Sequence, residues 1–100
     1  MIGTLSKAVA AAGTAVPLTA TRTQASWATI KAIKTSGSAN TGNIYVGILG
    51  VSASTGYCLT PGQTVTLESV GGGLGYLYLD EVYIDAGSNA DEVKVIYGQN

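Results

Sequence analysis

Apolar and polar residues alternate most clearly in the middle of the chain. Over residues 63–70, aliphatic residues alternate with threonines and a glutamate, which is the pattern of a half-buried strand. The preceding segment 60–63 has proline and glycine at the two central positions of a β-turn, and this order predicts a type II turn. Residues 43–49 alternate as well, so we predict a strand that runs through Ile48.

Segments of similar character recur along the rest of the chain at spacings of roughly 8–12 residues, without a convincing helical pattern. In one of them we place Ile30 inside and Lys31 outside. Pro17 has no amide hydrogen to donate, so its strand is expected either to lie at the edge of a sheet or to start after the proline. About seven or eight short strands result, an all-β pattern typical of a sandwich or barrel of antiparallel sheets. The further predicted strands are 14–22, 26–34, 57–59, 76–80, 81–85 and 93–97.

The first residues of the chain precede this pattern and include a run of small side chains. Ser6 is a suitable cap for a short helical turn over 7–12, but nothing bulky follows to bury one face of a helix. We therefore predict an N-terminal arm at 1–13 and a single antiparallel β-sandwich domain at 14–100. Fully extended, the arm would reach about 45 Å and cross onto a neighbouring subunit. A frayed terminus is the alternative interpretation.

Charged residues are scarce, and this changes what the surface is expected to do. They make up 11% of the chain, against a usual value of about 25%. A folded monomer of this size exposes on the order of 5,300 Å², which so few charges cover sparsely. We therefore predict that other subunits cover part of the surface, as in a homo-oligomer.

The same composition argues against several other partners and locations. The net charge of −1 and the lack of a basic stripe disfavour nucleic acid as a partner. The apolar runs are far shorter than the roughly 18 residues of a membrane span, so no membrane partner is predicted. Cys58 is the only cysteine, which excludes an intrachain disulfide and fits assembly in a reducing cytoplasm.

Few side chains suit catalysis. The chain has no histidine, which excludes histidine-based nucleophile systems and the usual zinc ligands. Cys58 is expected to be a small buried apolar residue. The carboxylates are interpreted as solvated strand ends, although a glycosidase pair or a metal site on a symmetry axis are alternatives. We therefore predict no enzymatic activity, no catalytic residue, no cofactor and no metal. The carboxylates are Glu68, Asp80, Glu81, Asp85, Asp91 and Glu92.

Tyrosines are frequent for a chain of this length. Tyrosine suits an interface because it is large, stiff and able to form a hydrogen bond at its tip. Stacking against a glycan, by Tyr76 and Tyr78 with the loop 35–42, is the alternative. The candidate interface residues combine two aliphatic residues of the predicted arm with five tyrosines. They are Leu5, Val9, Tyr45, Tyr57, Tyr76, Tyr78 and Tyr83.

The sequence also contains, in order, Asn43–Gly47 (Asn-Ile-Tyr-Val-Gly), Gly50–Ala53 (Gly-Val-Ser-Ala), Leu59–Gly62 (Leu-Thr-Pro-Gly) and Leu79–Asp85 (Leu-Asp-Glu-Val-Tyr-Ile-Asp). These motifs resemble a family of small virion proteins of tailed bacteriophages and prophages. In that family a strand of the type Asn-x-Tyr-Val-Gly precedes a Gly-Val-x-Ala segment and a Leu-x-Pro-Gly turn. The resemblance covers about residues 27–97.

The resemblance implies a β-sandwich of jelly-roll type that decorates or cements a capsid, often as a trimer. The implied partners are further copies of the chain and the major capsid protein. The implied location is the capsid surface, after assembly in the host cytoplasm. Similar proteins also serve in fibres or tail parts, so a virion-associated fibre or a receptor- or glycan-binding module is the alternative. No catalytic residues come with the resemblance.

Overall fold

Two antiparallel sheets make up most of the fold. The structure is a computed structural model that describes residues 2–68 and 77–98. Within these residues the chain forms ten strands and one 3₁₀ turn at Leu79–Glu81. These residues contain no helix that is longer than this turn. The strands are β1 Ile2–Val9, β2 Val16–Pro17, β3 Gln24–Ala25, β4 Trp27–Lys31, β5 Ile44–Gly47, β6 Tyr57–Leu59, β7 Thr64–Glu68, β8 Leu77–Tyr78, β9 Tyr83–Ala86 and β10 Asp91–Gly98.

The first sheet has the strand order β1-β10-β4-β7, and the second has the order β2-β9-β5-β6. A short two-stranded ribbon joins β3 to β8. One hydrophobic core draws buried side chains from both four-stranded sheets. The protein is therefore an all-β, antiparallel sandwich, as the spacing of the predicted strands indicates. Pro17 lies in β2 at the edge of the second sheet, which is the first of the two arrangements predicted for it.

The strand pairs are nested in the sequence. β1 pairs with β10, β2 with β9, β3 with β8, β4 with β7, and β5 with β6. The chain is thus one long hairpin whose successive pairs lie in the first sheet, the second sheet, the ribbon, the first sheet and the second sheet. The ladders β10–β4 and β5–β9 complete the two main sheets. The connection between β5 and β6 is the tip of this hairpin. The jelly-roll winding that the resemblance implies stays a prediction.

Side chains alternate between the core and the solvent along the long strands. In β10, Val93 and Val95 are buried, whereas Lys94 is exposed. In β4, Ile30 is fully buried and Lys31 is exposed, which confirms the predicted orientation of that strand. This period of two is what one buried face of a sheet requires.

The turn before β7 follows the local chemistry. Gln63 donates its backbone N–H to the carbonyl oxygen of Thr60 at 2.9 Å. Gly62 adopts a φ of 88°, which the third position of a type II turn requires and which a glycine adopts without strain. The predicted type II turn is therefore confirmed.

The N-terminal segment is a strand and not a free arm. Ile2–Val9 pairs along its whole length with β10, from Ile2 opposite Gly98 to Val9 opposite Asp91. The helical turn that Ser6 could cap does not form, in line with the lack of a bulky apolar face, since residues 6–9 belong to the ladder. A strand partner distant in sequence supplies the hydrogen bonds, and no local pattern shows such a partner. The predicted boundary between an arm at 1–13 and a domain at 14–100 therefore separates two parts of the same sandwich.

Two further predictions about the second sheet are wrong. The strand predicted at 43–49 ends at Gly47, so Ile48 lies in the following turn. Cys58 is exposed and not buried. It lies on β6 opposite Tyr45, on the outer face of the sheet, whereas the next residue, Leu59, lies opposite the buried Ile44 on the core face. Successive side chains of a strand point to opposite faces, and this alternation places Cys58 in solvent.

Candidate interaction surfaces

The two aliphatic candidates of β1 point toward the sandwich interior. Val9 has no exposed surface and belongs to the core. Leu5 is half-buried and packs against the same core. These side chains hold β1 to the rest of the molecule, and Val9 is closed to any partner while the sheet is intact.

Tyr45 and Tyr83 are brought together on the outer face of the second sheet. They lie on the adjacent strands β5 and β9, where Gly47 is opposite Tyr83 and Tyr45 is opposite Asp85. Residues in this diagonal relation are about 7–8 Å apart and within reach of aromatic rings. Both tyrosines are half-buried, so each offers only part of its ring to a partner.

Tyr78 is already covered on one face. The guanidinium carbon of Arg22 lies 4.1 Å from the centroid of its ring, and the same guanidinium pairs with Asp80 at 3.4 Å and Glu81 at 3.2 Å. A cation over a tyrosine ring is favourable, and it occupies the surface that a sugar would use for stacking. Tyr76, the other residue of the predicted glycan platform, lies outside the described residues.

The hairpin tip, residues 48–56, is a tight and self-packed bend. Val51 donates its backbone N–H to the carbonyl oxygen of Ile48 at 2.9 Å, and Gly50 between them has a φ of 83°. A Cβ on Gly56 would lie only 2.6 Å from the Cβ of Tyr45, and one on Gly47 would lie 2.7 Å from Val51. The bend therefore folds back against β5 at a distance that only glycine permits.

This construction leaves two aliphatic side chains in solvent. Ile48 is 77% exposed and Leu49 is 75% exposed, while Tyr57, the first residue of β6, is 63% exposed. Val51 is the aliphatic residue of the bend that is buried. Of the three exposed residues, only Tyr57 was expected at an interface. Gly50 is the sequence signal that indicates a turn there, since glycine often interrupts regular structure.

The outer face of the first sheet carries a solvent-open depression of about 630 Å³, here called the concave face. Residues of β1, β4, β7 and β10 line it together with Thr35. Half of the ten lining residues bear a hydroxyl, and the others are two lysines and three aliphatic residues, Leu5, Val95 and Ile96. The hydroxyls of Thr29 and Thr66 lie 3.0 Å apart on neighbouring strands of this sheet. No sequence motif marks this surface, because its residues come from both ends and the middle of the chain.

Two carboxylates that were expected to be solvated are buried instead. Asp91 accepts hydrogen bonds from the backbone N–H groups of Thr41 at 2.9 Å and Gly42 at 2.7 Å. Asp85 accepts hydrogen bonds from Gly13 at 2.9 Å and from Ala86 at 2.8 Å. Each carboxylate ties a loop to a strand, so its acceptor capacity serves the fold.

Glu92 follows Asp91 in the sequence, and its side chain remains near solvent. Its carboxylate accepts hydrogen bonds from the hydroxyl and the backbone N–H of Thr35. The hydrogen bond from the Thr35 hydroxyl is the main cause that lowers the pKa of Glu92 below its ordinary value. This carboxylate therefore stays ionised and is not suited to donate a proton at neutral pH.

Residues 2–68 and 77–98 contain no group of three or more cysteine, aspartate or glutamate side chains arranged to hold a metal ion. No helix in this part of the chain has the length and apolar character needed to cross a membrane. Comparison with protein-family models, with curated proteins and with solved structures finds no match. The fold and its surfaces define a small all-β sandwich with exposed apolar residues at its hairpin tip, and function is argued from those residues.

Proposed function

We propose that the protein is a structural virion protein that decorates or cements a capsid by inserting its hairpin tip into the shell. The observation that carries this proposal is the pair Ile48 and Leu49, which the tip holds in solvent at 77% and 75% exposure. The shell protein is the proposed occupant around these side chains, and further copies of the chain are proposed to associate as a trimer.

Burial of the tip offers a sufficient driving force. Fully burying a large aliphatic side chain is worth roughly 1.5–3 kcal/mol. The bend is already fixed by Gly47, Gly56 and the hydrogen bond from Val51 to Ile48, so little conformational entropy is lost on association. Two anchors of this kind, repeated on every copy around a symmetric shell, give strong binding through avidity.

The motifs of the virion-protein resemblance are the residues that build this tip. Gly47 and Gly56 make the close contacts with Val51 and Tyr45, and the Gly50–Ala53 segment is the bend itself. The resemblance therefore falls on the feature that exposes Ile48 and Leu49. The nested strand pairing supports the same proposal, since double-sheet jelly rolls are frequent in viral capsid proteins, although a fold alone does not define a function.

The test is to purify particles of the virus or prophage that encodes the chain, and to measure its copy number relative to the main shell subunit by quantitative mass spectrometry. We expect a fixed stoichiometric ratio for the natural chain. The double variant Ile48→Ser/Leu49→Ser should reduce the occupancy at least about tenfold under dilute conditions, because it removes both anchors.

The matched control is Ile2→Ser, which changes another aliphatic residue that is 67% exposed but lies at the start of β1. Its occupancy should equal that of the natural chain. Absence of the protein from purified particles, or equal occupancy for the tip variant and the control, would contradict the proposal.

A further inference from the structure

Four residues cross the concave face as one row. Ser6 of β1 is opposite Lys94 of β10, Lys94 is opposite Lys31 of β4, and Lys31 is opposite Thr64 of β7. All four line the concave face and are exposed. The row therefore places two ammonium groups side by side at its centre, with a hydroxyl at each end.

Two lysines directly opposite each other on adjacent strands repel, and such a pair weakens a sheet. The ion pairs formed within the described residues involve Arg22 and not these lysines. Lys31 and Lys94 are two of only five cationic residues in the chain. Together they form a positive centre on the concave face that no ion pair within the described residues neutralises.

The acidic side chains near this face do not pair with the two lysines. Glu92 lies two residues before Lys94 on β10, but its carboxylate accepts both hydrogen bonds of Thr35, and this is the interaction that lowers its pKa. Glu68 lies opposite Trp27, two rows away from the lysines. Neither carboxylate forms an ion pair with Lys31 or Lys94, so the positive centre is open to a negatively charged ligand.

The neighbouring row supplies the rest of a binding surface. Thr4 is opposite Ile96, Ile96 is opposite Thr29, and Thr29 is opposite Thr66. Threonine hydroxyls donate and accept hydrogen bonds, and Ile96 offers an apolar patch that is 42% exposed. The depression is open to solvent, and its volume of about 630 Å³ falls within the range of small-molecule sites.

We propose that the concave face binds an oxyanion, a carboxylate or a phosphate, between Lys31 and Lys94. A free anion and an acidic sugar both carry this group. The row with Ile96 and the threonines suits the ring and hydroxyls of a sugar, which would lie beside the bound oxyanion. The proposal is independent of the proposed virion role, since it concerns a surface other than the hairpin tip.

The test is a titration of the intact ¹⁵N-labelled protein by NMR with three probes, which are inorganic phosphate, glucuronate and glucose. We expect saturable shifts at the backbone amides of Lys31 and Lys94 with the two anions, and none with neutral glucose. Tighter binding of glucuronate identifies the acidic sugar as the source of the oxyanion, and equal or tighter binding of phosphate identifies the free anion. Either result supports the site.

The variants Lys31→Gln and Lys94→Gln should each weaken anion binding about tenfold, the loss of one charge-assisted hydrogen bond. Lys34→Gln is the matched control, since Lys34 does not line the concave face, and it should leave the affinity unchanged. Urea unfolding confirms that each variant is folded. Equal binding of glucose, shifts that do not saturate, or affinities that ignore Lys31 and Lys94 would overturn the proposal.

Discussion

Asp91 shows how a single residue organises a loop in this sandwich. Its carboxylate has no exposed surface, and its two oxygens take the backbone N–H groups of Thr41 and Gly42 separately. Asn40 adds a reciprocal pair of hydrogen bonds with the backbone of Glu92, at 2.8 Å and 3.0 Å. The loop before β5 is thereby fixed to the start of β10.

Replacing this carboxylate by its neutral amide is expected to destabilise the protein. In Asp91→Asn, one oxygen becomes an NH₂ group that cannot accept the second backbone hydrogen bond. We predict a loss of about 1–3 kcal/mol in the free energy of unfolding, the cost of an unsatisfied buried donor. Urea unfolding, followed by the fluorescence of Trp27, the only tryptophan in the chain, measures it.

Glu68→Gln makes the same chemical change on an exposed residue of β7 and serves as the control. Its free energy of unfolding should stay within about 0.5 kcal/mol of the natural value. Equal stability of the two variants would show that Asp91 is not the loop anchor that its hydrogen bonds indicate.

The burial of Asp85 and Asp91 was not predictable from the sequence. Both residues lie next to segments whose composition is typical of loops. Carboxylates in such positions are expected to be solvated. What buries them is the return of residues 13 and 41–42, which are distant along the chain. Hydrogen-bond partners that only the tertiary fold supplies leave no local pattern.

At the scale of the element, β1 is the strand that decides where the domain begins. It contributes Leu5 and Val9 to the core and pairs with β10 over eight residues. Alternating exposure along β1 follows from this pairing, because its other face meets solvent. An N-terminal arm that reaches a neighbouring subunit would lack both features.

Val9→Ala tests this structural role directly. Removing buried methyl groups from a fully buried valine should lower the free energy of unfolding by about 1–3 kcal/mol. The control Ile2→Ala alters the same strand at a residue that is 67% exposed and should change stability by no more than about 0.5 kcal/mol. Urea unfolding compares the two, and a free arm would make both variants neutral.

The elements differ in how far their sequence determines them. The turn at 60–63 depends on the φ preferences of Pro61 and Gly62, which are properties of those residues alone, and it was predicted correctly. The alternation in β4 and β10 reports a buried face, so Ile30 and Lys31 were also placed correctly. The end of β5 at Gly47 depends on the close packing of Val51, and that contact forms only when the bend folds back.

Among the candidate interface residues, aromatic character was a poorer guide than position in the fold. Tyr78 has a ring face covered by Arg22, and Tyr45 and Tyr83 are half-buried. Ile48 and Leu49 are more exposed than Tyr57 because they occupy the tip of the nested hairpin, between β5 and β6. Exposure therefore follows from the nested topology, which the order of single strands along the sequence does not reveal.

At the scale of the whole molecule, the surface is ordinary in extent but poor in charge. The radius of gyration is 12.6 Å, close to the value of about 13 Å for a compact domain of this length. The exposed area is 5321 Å², and eleven charged residues serve the whole chain. A compact shape with so few charges favours association through apolar contacts.

The scarcity of charge on this surface predicts how an oligomer should respond to salt. We expect the purified chain to sediment as a homo-oligomer, with a trimer as the proposed state, at micromolar concentration. Raising sodium chloride from about 0.15 M to 1 M shortens the screening length from roughly 8 Å to 3 Å, which weakens contacts between exposed charges but not apolar ones. The sedimentation coefficient should therefore stay constant or rise, and sodium sulfate should favour the oligomer further. Analytical ultracentrifugation distinguishes the outcomes: a monomer at every concentration contradicts the oligomer, and dissociation at high salt contradicts its apolar character.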